Sequence, residues 1–233
     1  MKNLVVLTGA GVSAESGIAT FRDNGGLWDK YDPQVVASIE GWYANKALVL
    51  DFYNKRRKEL ASALPNDAHK AIAALQDRFN VHVITQNVDN LHERAGSSNV
   101  LHLHGELTKV RPENCCNEQD GFSEKSVFDI GYGEIHLGDL APNGHQLRPH
   151  IVWFGEPVPK IEKAIDIVSK ADLLLIVGTS LSVYPAAGLY RYAGPDTPIY
   201  IIDPGSVPLH DTHIKEKATS GMSIFTEKVE NMA

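Results

Sequence analysis

The chain's 233 residues suffice for one substantial core with a smaller appended lobe, and its 43% hydrophobic content is that of an ordinary globular protein. A net charge of -7 without a long basic run speaks against nucleic-acid binding, and no apolar stretch is long enough to span a bilayer. Met1-Lys2-Asn3 enters an apolar run with no secretory pattern, which predicts a soluble, cytoplasmic protein without membrane partners and leaves its oligomeric state open.

In chain order, the apolar residues 4–7 predict a buried strand, followed at once by Gly9-Ala10-Gly11-Val12-Ser13-Ala14-Glu15-Ser16-Gly17-Ile18. A strand, a glycine-rich turn and a helix start can present backbone N–H groups and a positive helix end to a pyrophosphate. Gly9 can take dihedrals closed to other residues, and Gly11 lets the main chain approach a phosphate. The pattern G-x-G-x-x-A is by itself equally that of a tight turn. An ordinary nicotinamide dehydrogenase would continue with a second strand ending in an acidic residue roughly 20 positions on. Asp29 has that spacing, but no apolar strand leads into it. Residues 21–28, with Phe21, Arg22 and Trp28, read instead as a polar, glycine-containing loop able to close over a ligand, so hydride transfer is not expected.

Residues 45–63 predict a long helix carrying Tyr53 and Arg56 on one face, although residues 55–58 alone are a charge run typical of a solvated face. Further apolar runs at 81–84, 100–103, 173–177 and 199–202 predict strands, and 151–154 a shorter extended segment. Ile161, Ala164, Ile165 and Val168 recur at helical spacing within 160–170, and Pro185 is expected in the first turn of another helix. Strands alternating with helices imply an α/β fold with a Rossmann-like, doubly wound parallel sheet. Two insertions divide the single domain into a large lobe (about 1–24, 65–104 and 150–233) and a small one (about 25–64 and 105–149).

Five blocks then resemble the sirtuin family. They are the glycine-rich segment, Thr85-Gln86-Asn87-Val88-Asp89-Asn90-Leu91-His92-Glu93-Arg94-Ala95-Gly96, His102-Leu103-His104-Gly105-Glu106-Leu107, Arg148-Pro149-His150-Ile151-Val152-Trp153-Phe154-Gly155-Glu156, and Gly178-Thr179-Ser180-Leu181-Ser182-Val183-Tyr184-Pro185-Ala186-Ala187. The resemblance implies an NAD-dependent protein-lysine deacylase with NAD as co-substrate and acylated lysine peptides as partners. In such enzymes the acyl-lysine oxygen attacks C1′ of the nicotinamide ribose, and nicotinamide, free lysine and 2′-O-acyl-ADP-ribose are released.

Carried over position by position, the resemblance makes His104 the base, a role suited to imidazole because its pKa lies near neutrality. Asn87 stands near the nicotinamide ribose and Asp89 at the carboxamide, although either could equally cap the helix start before Leu91. Gly9, Ala10, Gly11, Ser13, Glu15, Gly17, Ile18, Phe21, Arg22, Trp28, Gln86, Val88, Gly178, Thr179 and Ser180 belong to the expected NAD site. Asp203 departs from the asparagine of many relatives but can accept ribose hydroxyls, and Met222 would reach the adenine through its backbone. His92 would support the site, and His102 is assigned to packing or to a supporting place behind the base.

Val152, Trp153, Phe154 and Gly155 would pair with the substrate main chain. Tyr53 and Arg56 match a Tyr-x-x-Arg pair beside the acyl channel of relatives that prefer acidic acyl groups, which predicts succinyl and malonyl over acetyl removal. Many relatives hold a structural zinc on four cysteines, the first near the position of Pro112. Here Cys115 and Cys116 are the only two, and His136 and His145 fit no common ligand spacing, so no zinc is expected. NAD glycohydrolysis, ADP-ribosyl transfer and non-catalytic NAD binding are the competing readings.

Overall fold

The computed structural model describes residues 1–20, 27–114, 124–207 and 212–230. Six strands form one parallel sheet: β1 (Asn3–Thr8), β2 (Asn80–Thr85), β3 (Val100–His102), β7 (Leu173–Val177), β8 (Ile199–Ile202) and β9 (Thr212–Ile214). Their order is β3-β2-β1-β7-β8-β9, with Leu7 of β1 opposite Ile84 on one side and Ile176 on the other. Strands buried on both faces need no polar alternation, which is why β7 reads Leu-Leu-Leu-Ile-Val and is buried throughout.

Side-chain alternation divides these strands between two cores. Leu4, Val6, Leu173, Leu175 and Val177 pack with Ile72 of α6 (Asp67–Ala74) and Met222 and Phe225 of α9 (Ala218–Lys228). Val5, Leu7, Leu174 and Ile176 pack on the opposite face with Ala164 and Val168 of α8 (Ile161–Ser169) and Leu189 of a 3₁₀ helix (Ala186–Tyr192). Pro185 is the residue preceding that helix, one position earlier than expected.

A third core lies under the second lobe. Its helices are α2 (Leu27–Lys30), α3 (Pro33–Val36), α4 (Ile39–Ala44) and α5 (Lys46–Ser62). Each of the last three is capped at its N-terminus by a side chain, from Asp32, Ser38 and Asn45 respectively, which satisfies N–H groups that the first turn leaves open. Trp42, Val49, Phe52, Tyr53 and Leu60 of α4 and α5 pack against Leu107, Val110 and Ile151. Those three come from an antiparallel sheet of order β5-β4-β6: β4 (Gly105–Pro112), β5 (Phe128–Asp129) and β6 (Leu147–Ile151). The extended segment expected at 151–154 thus lies earlier, with only an isolated bridge from Phe154 to Ser38 beyond it. Among the described residues no helix is long and apolar enough to cross a membrane.

Candidate active site

The carboxyl ends of β1, β2, β7 and β8 open into a cleft of about 830 Å³ whose far wall is built from α5 and the segment after β6. Gly9, Ala10, Gly11, Glu15, Gln86, Asn87, Val88, His104, Gly178, Thr179, Ser180 and Asp203 line it, as do Tyr53, Arg56, Val152, Trp153, Phe154 and Gly155. Ser13, Ile18 and Asp89 line a small adjoining pocket of about 20 Å³ that shares Ala10, Arg56, Asn87 and Val88 with the cleft. Gly17 touches neither. Met222 is fully buried in the core, and Lys217 and Ala218 are the cleft residues nearest it in sequence. Phe21 and Arg22 lie outside the described residues, as do the side chain of Trp28 and both cysteines.

The glycines also have a packing reason of their own. A Cβ on Gly9 would stand 2.7 Å from the Gly178 oxygen, and one on Gly11 would stand 2.7 Å from the Gly178 Cα. Gly178 itself has φ +61°, and a Cβ there would meet the Val12 nitrogen at 2.4 Å. The three glycines therefore let the loops after β1 and β7 lie backbone against backbone. The helix expected after β1, α1 (Gly11–Ala14), is a single turn, and the N–H groups of Gly9, Gly11, Val12 and Ser13 are all used internally. Those of Ala10, Thr179 and Ser180 carry no hydrogen bond among the described residues, and all three residues face the cleft. These main-chain donors fit an anionic group better than the end of a one-turn helix does. Glu15 is occupied elsewhere, accepting from the N–H and hydroxyl of Thr219 and so joining α1 to α9.

Between β2 and β3 the polar side chains are tied into a network. His104 Nδ1 donates to the Gln86 carbonyl at 3.1 Å, a contact that requires hydrogen on Nδ1 and leaves Nε2 as a lone-pair nitrogen. Burial lowers the His104 pKa, against the opposing effect of that bond, so the ring is neutral at physiological pH. The Asn87 amide donates to the Gly9 carbonyl and the Ser13 hydroxyl, 3.1 Å each, and its Oδ1 has no partner among the described residues. Ser13 in turn donates to Asp89 at 2.9 Å. Burial raises the Asp89 pKa despite the hydrogen bonds from the Leu91 N–H and Ser13. Of the two roles considered for it, the capping one is seen: Asp89 receives the first N–H of α7 (Leu91–Arg94), and it also borders the small pocket.

Two buried histidines complete this network, one of them absent from the expected set. His69 Nε2 lies 3.3 Å from the Ser13 hydroxyl, its Nδ1 accepts from the Asn66 N–H, and burial holds its pKa at about 4. Its sequence signal was the Asn66-Asp67-Ala68-His69 capping box, which reads as a helix start and nothing more. His92 stands 3.1 Å from Thr8 and edge-on to His69.

On the far wall, Tyr53 and Arg56 of α5 lie one helical turn apart, both facing the cleft and both buried. Trp153 Nε1 donates to the Tyr53 oxygen at 2.9 Å, and burial pushes the phenol up to about 12. Arg56 has Glu59 at 3.8 Å. Trp153 lies over the guanidinium of Arg148, 3.4 Å from ring centroid to Cζ, and Arg148 makes a two-pronged pair with Glu156 at 2.6 and 2.9 Å. The N–H groups of Val152, Trp153 and Phe154 donate to His104, Glu156 and Ala37. Of this segment, the Val152 carbonyl and both main-chain groups of Gly155 are uncommitted among the described residues. The Asp203 side chain accepts from the Gly205 N–H at 2.8 Å at the other end of the cleft. His136 pairs with Glu134 and His145 with Asn114, and among the described residues no three metal-binding side chains converge.

A model of the Sir2 family matches residues 9–185 of this chain. An NAD-dependent protein deacylase of Bacteroides thetaiotaomicron is 55% identical over 94% of both chains, and one of Helicobacter pylori is 52% identical over the full length of both. Among solved structures, a Sir2 homolog in complex with NAD superposes with a TM-score of 0.85 at 38% identity, covering 99% of this chain and 90% of the other. A Sir2 protein with a deacetylated p53 peptide and 3′-O-acetyl ADP-ribose matches with a TM-score of 0.78 at 30% identity over 97% and 92%.

Proposed function

The chain belongs to the Sir2 family, and on that premise we propose that this NAD-dependent protein deacylase prefers succinyl- and malonyl-lysine to acetyl-lysine. The observation that carries the preference is the placement of Tyr53 and Arg56 side by side on the cleft wall. The Tyr53 oxygen accepts from Trp153, so its own hydrogen is left to be donated. A guanidinium offers two charge-assisted hydrogen bonds to a carboxylate and the phenol a third, whereas an acetyl methyl can use none of them.

NAD supplies a ribose carbon already bonded to a good leaving group, nicotinamide. The residues that fit it are the main-chain donors of Ala10, Thr179 and Ser180 for the phosphates, Asn87 Oδ1 for a sugar hydroxyl, and Asp89 in the adjoining pocket for the carboxamide. Asp203, at the end of β8, suits the second ribose. His104 removes a sugar proton through Nε2, and its bond to Gln86 keeps that nitrogen free of hydrogen. The extended substrate pairs with Val152 and Gly155, which implies loose sequence preference around the lysine. We place the reaction in the cytoplasm with its co-substrate, and assign no role to zinc.

The test compares acetyl-, malonyl- and succinyl-lysine peptides by mass spectrometry, with and without NAD, for the unaltered enzyme and for Arg56→Met. Loss of a charged hydrogen-bond partner should lower kcat/KM on succinyl-lysine by about tenfold to hundredfold, with a much smaller change on acetyl-lysine. Equal losses on both peptides would remove Arg56 from acyl selection.

A further inference from the structure

We propose that His102 and Glu93 form a charged clamp that positions the loop between β2 and α7, and through it the base His104. His102 is the last residue of β3 and does not line the cleft. Its Nδ1 lies 3.0 Å from the Asn87 carbonyl oxygen and its Nε2 lies 2.7 Å from Glu93 Oε1. Burial would raise the Glu93 pKa, but the hydrogen bond and charge of His102 prevail and lower it; with that carboxylate ionised both partners can only accept, and a ring bonded to both is an imidazolium buried to 3% exposure. A neutral ring would turn a lone pair toward one of the two oxygens.

The clamp joins three elements. Glu93 belongs to α7, Asn87 to the loop before it, and His102 to the neighbouring strand, so one cation closes the loop against the sheet. His104, two residues on, grips the preceding carbonyl of the same loop, that of Gln86. Two histidines thus hold consecutive carbonyls, and only one of them opens to the cleft. If the inner ring releases Asn87, the adjacent peptide can turn and His104 loses the acceptor that fixes its tautomer.

The charges around His102 favour its proton. Burial opposes it most strongly, but the hydrogen bond and charge of Glu93, with Glu106 of β4, outweigh burial and raise the pKa. Asp89 in the loop adds a further buried carboxyl, while His92 of α7 is kept neutral by burial and Lys109 is paired with Glu106 at 2.5 Å. The clamp is therefore intact below the raised pKa and lost as pH rises through it.

This inference rests on the deacylase reading and not on the acyl preference. Glu93→Gln is the test variant, because Glu93 is 41% exposed and glutamine keeps its shape while losing the charge. Long-range ¹H–¹⁵N spectra followed over pH should show His102 of the unaltered protein losing its second proton above the ordinary histidine value, and that of the variant losing it below. At a pH where those spectra show the unaltered ring doubly protonated and the variant's neutral, the variant's kcat should be about tenfold lower with KM for the acyl peptide nearly unchanged, and the alkaline limb of kcat should move to lower pH. The fractional loss should be the same on acetyl- and succinyl-lysine, so a failed acyl preference leaves this result readable. A His102 of the unaltered protein that loses its second proton below the ordinary histidine value, or superimposable pH profiles, would overturn the clamp.

Discussion

The Tyr53 oxygen shows how one hydrogen bond can set the direction of another. It accepts from Trp153 within a buried aromatic wall, and a phenol held protonated by burial then has only its hydrogen to offer the cleft. Trp153→Phe removes that N–H while keeping a ring over Arg148, and it frees the Tyr53 hydroxyl to turn away from the acyl group. The ratio of kcat/KM on succinyl- to acetyl-lysine should fall by about fivefold, the loss expected for one neutral hydrogen bond. An unchanged ratio would mean Trp153 has no part in acyl choice. At the same scale, the cleft-lining residues of the loops after β1, β2 and β7 were legible in the sequence, but one reason for two of them was not. Gly9 and Gly11 are required by their distance from Gly178, a residue far away in the chain, and no local pattern reports that approach.

At the scale of elements, legibility followed burial chemistry. The strands of the parallel sheet stand out as apolar runs because both their faces are covered, and the long helix α5 was bounded correctly because Asn45 caps it. The small sheet was not legible. Its strand β6 reads Leu-Arg-Pro-His-Ile, a sequence that suggests a wet loop, yet Arg148 is 2% and His150 5% exposed. What makes the burial of Arg148 possible is Glu156, which pairs with both Arg148 and Arg111 from beyond the strand's end. The Glu156 pKa is low: burial would raise it, but the Arg148 hydrogen bond and charge prevail. This carboxylate, with the Arg148–Trp153 stack, fastens the small sheet beneath the cleft wall. Glu156→Gln leaves two guanidinium groups buried without their counter-charge, which should cost about 3–5 kcal/mol in denaturant unfolding. A cost under about 1 kcal/mol would show that the small lobe draws its stability elsewhere. Strand β9 escaped notice for a simpler reason: it reads Thr-His-Ile, with one apolar residue and so no run to mark it.

Over the whole molecule, the sheet with its two cores forms one wall of the cleft, and the helical lobe on its small sheet forms the other. The histidines around and beneath the cleft tie its stability to pH. Burial lowers the pKa of His69 to about 4, that of His150 to about 3, and those of His92 and His104 below the ordinary value. For such rings the unfolded chain takes up protons first as pH falls. Their contribution is full above about pH 6.5 and is lost toward the folded pKa, at up to about 1.4 kcal/mol per pH unit for each. His102 behaves in the opposite sense, stabilising below pH 6.5 and losing that contribution as pH rises through its raised pKa. Four lowered rings outweigh one raised, so Tm should fall steadily from pH 7 to pH 5. A Tm that is flat or rises over that range would contradict the neutral, buried state of these rings.

The account as a whole depends on His104 acting on a sugar held across this cleft. The direct measurement is formation of acyl-ADP-ribose from NAD and an acylated lysine peptide by His104→Ala, followed by mass spectrometry beside an independent measure of NAD binding. Loss of a general base should slow product formation by about a hundredfold or more while NAD still binds. Product appearing at the rate of the unaltered enzyme would contradict the account.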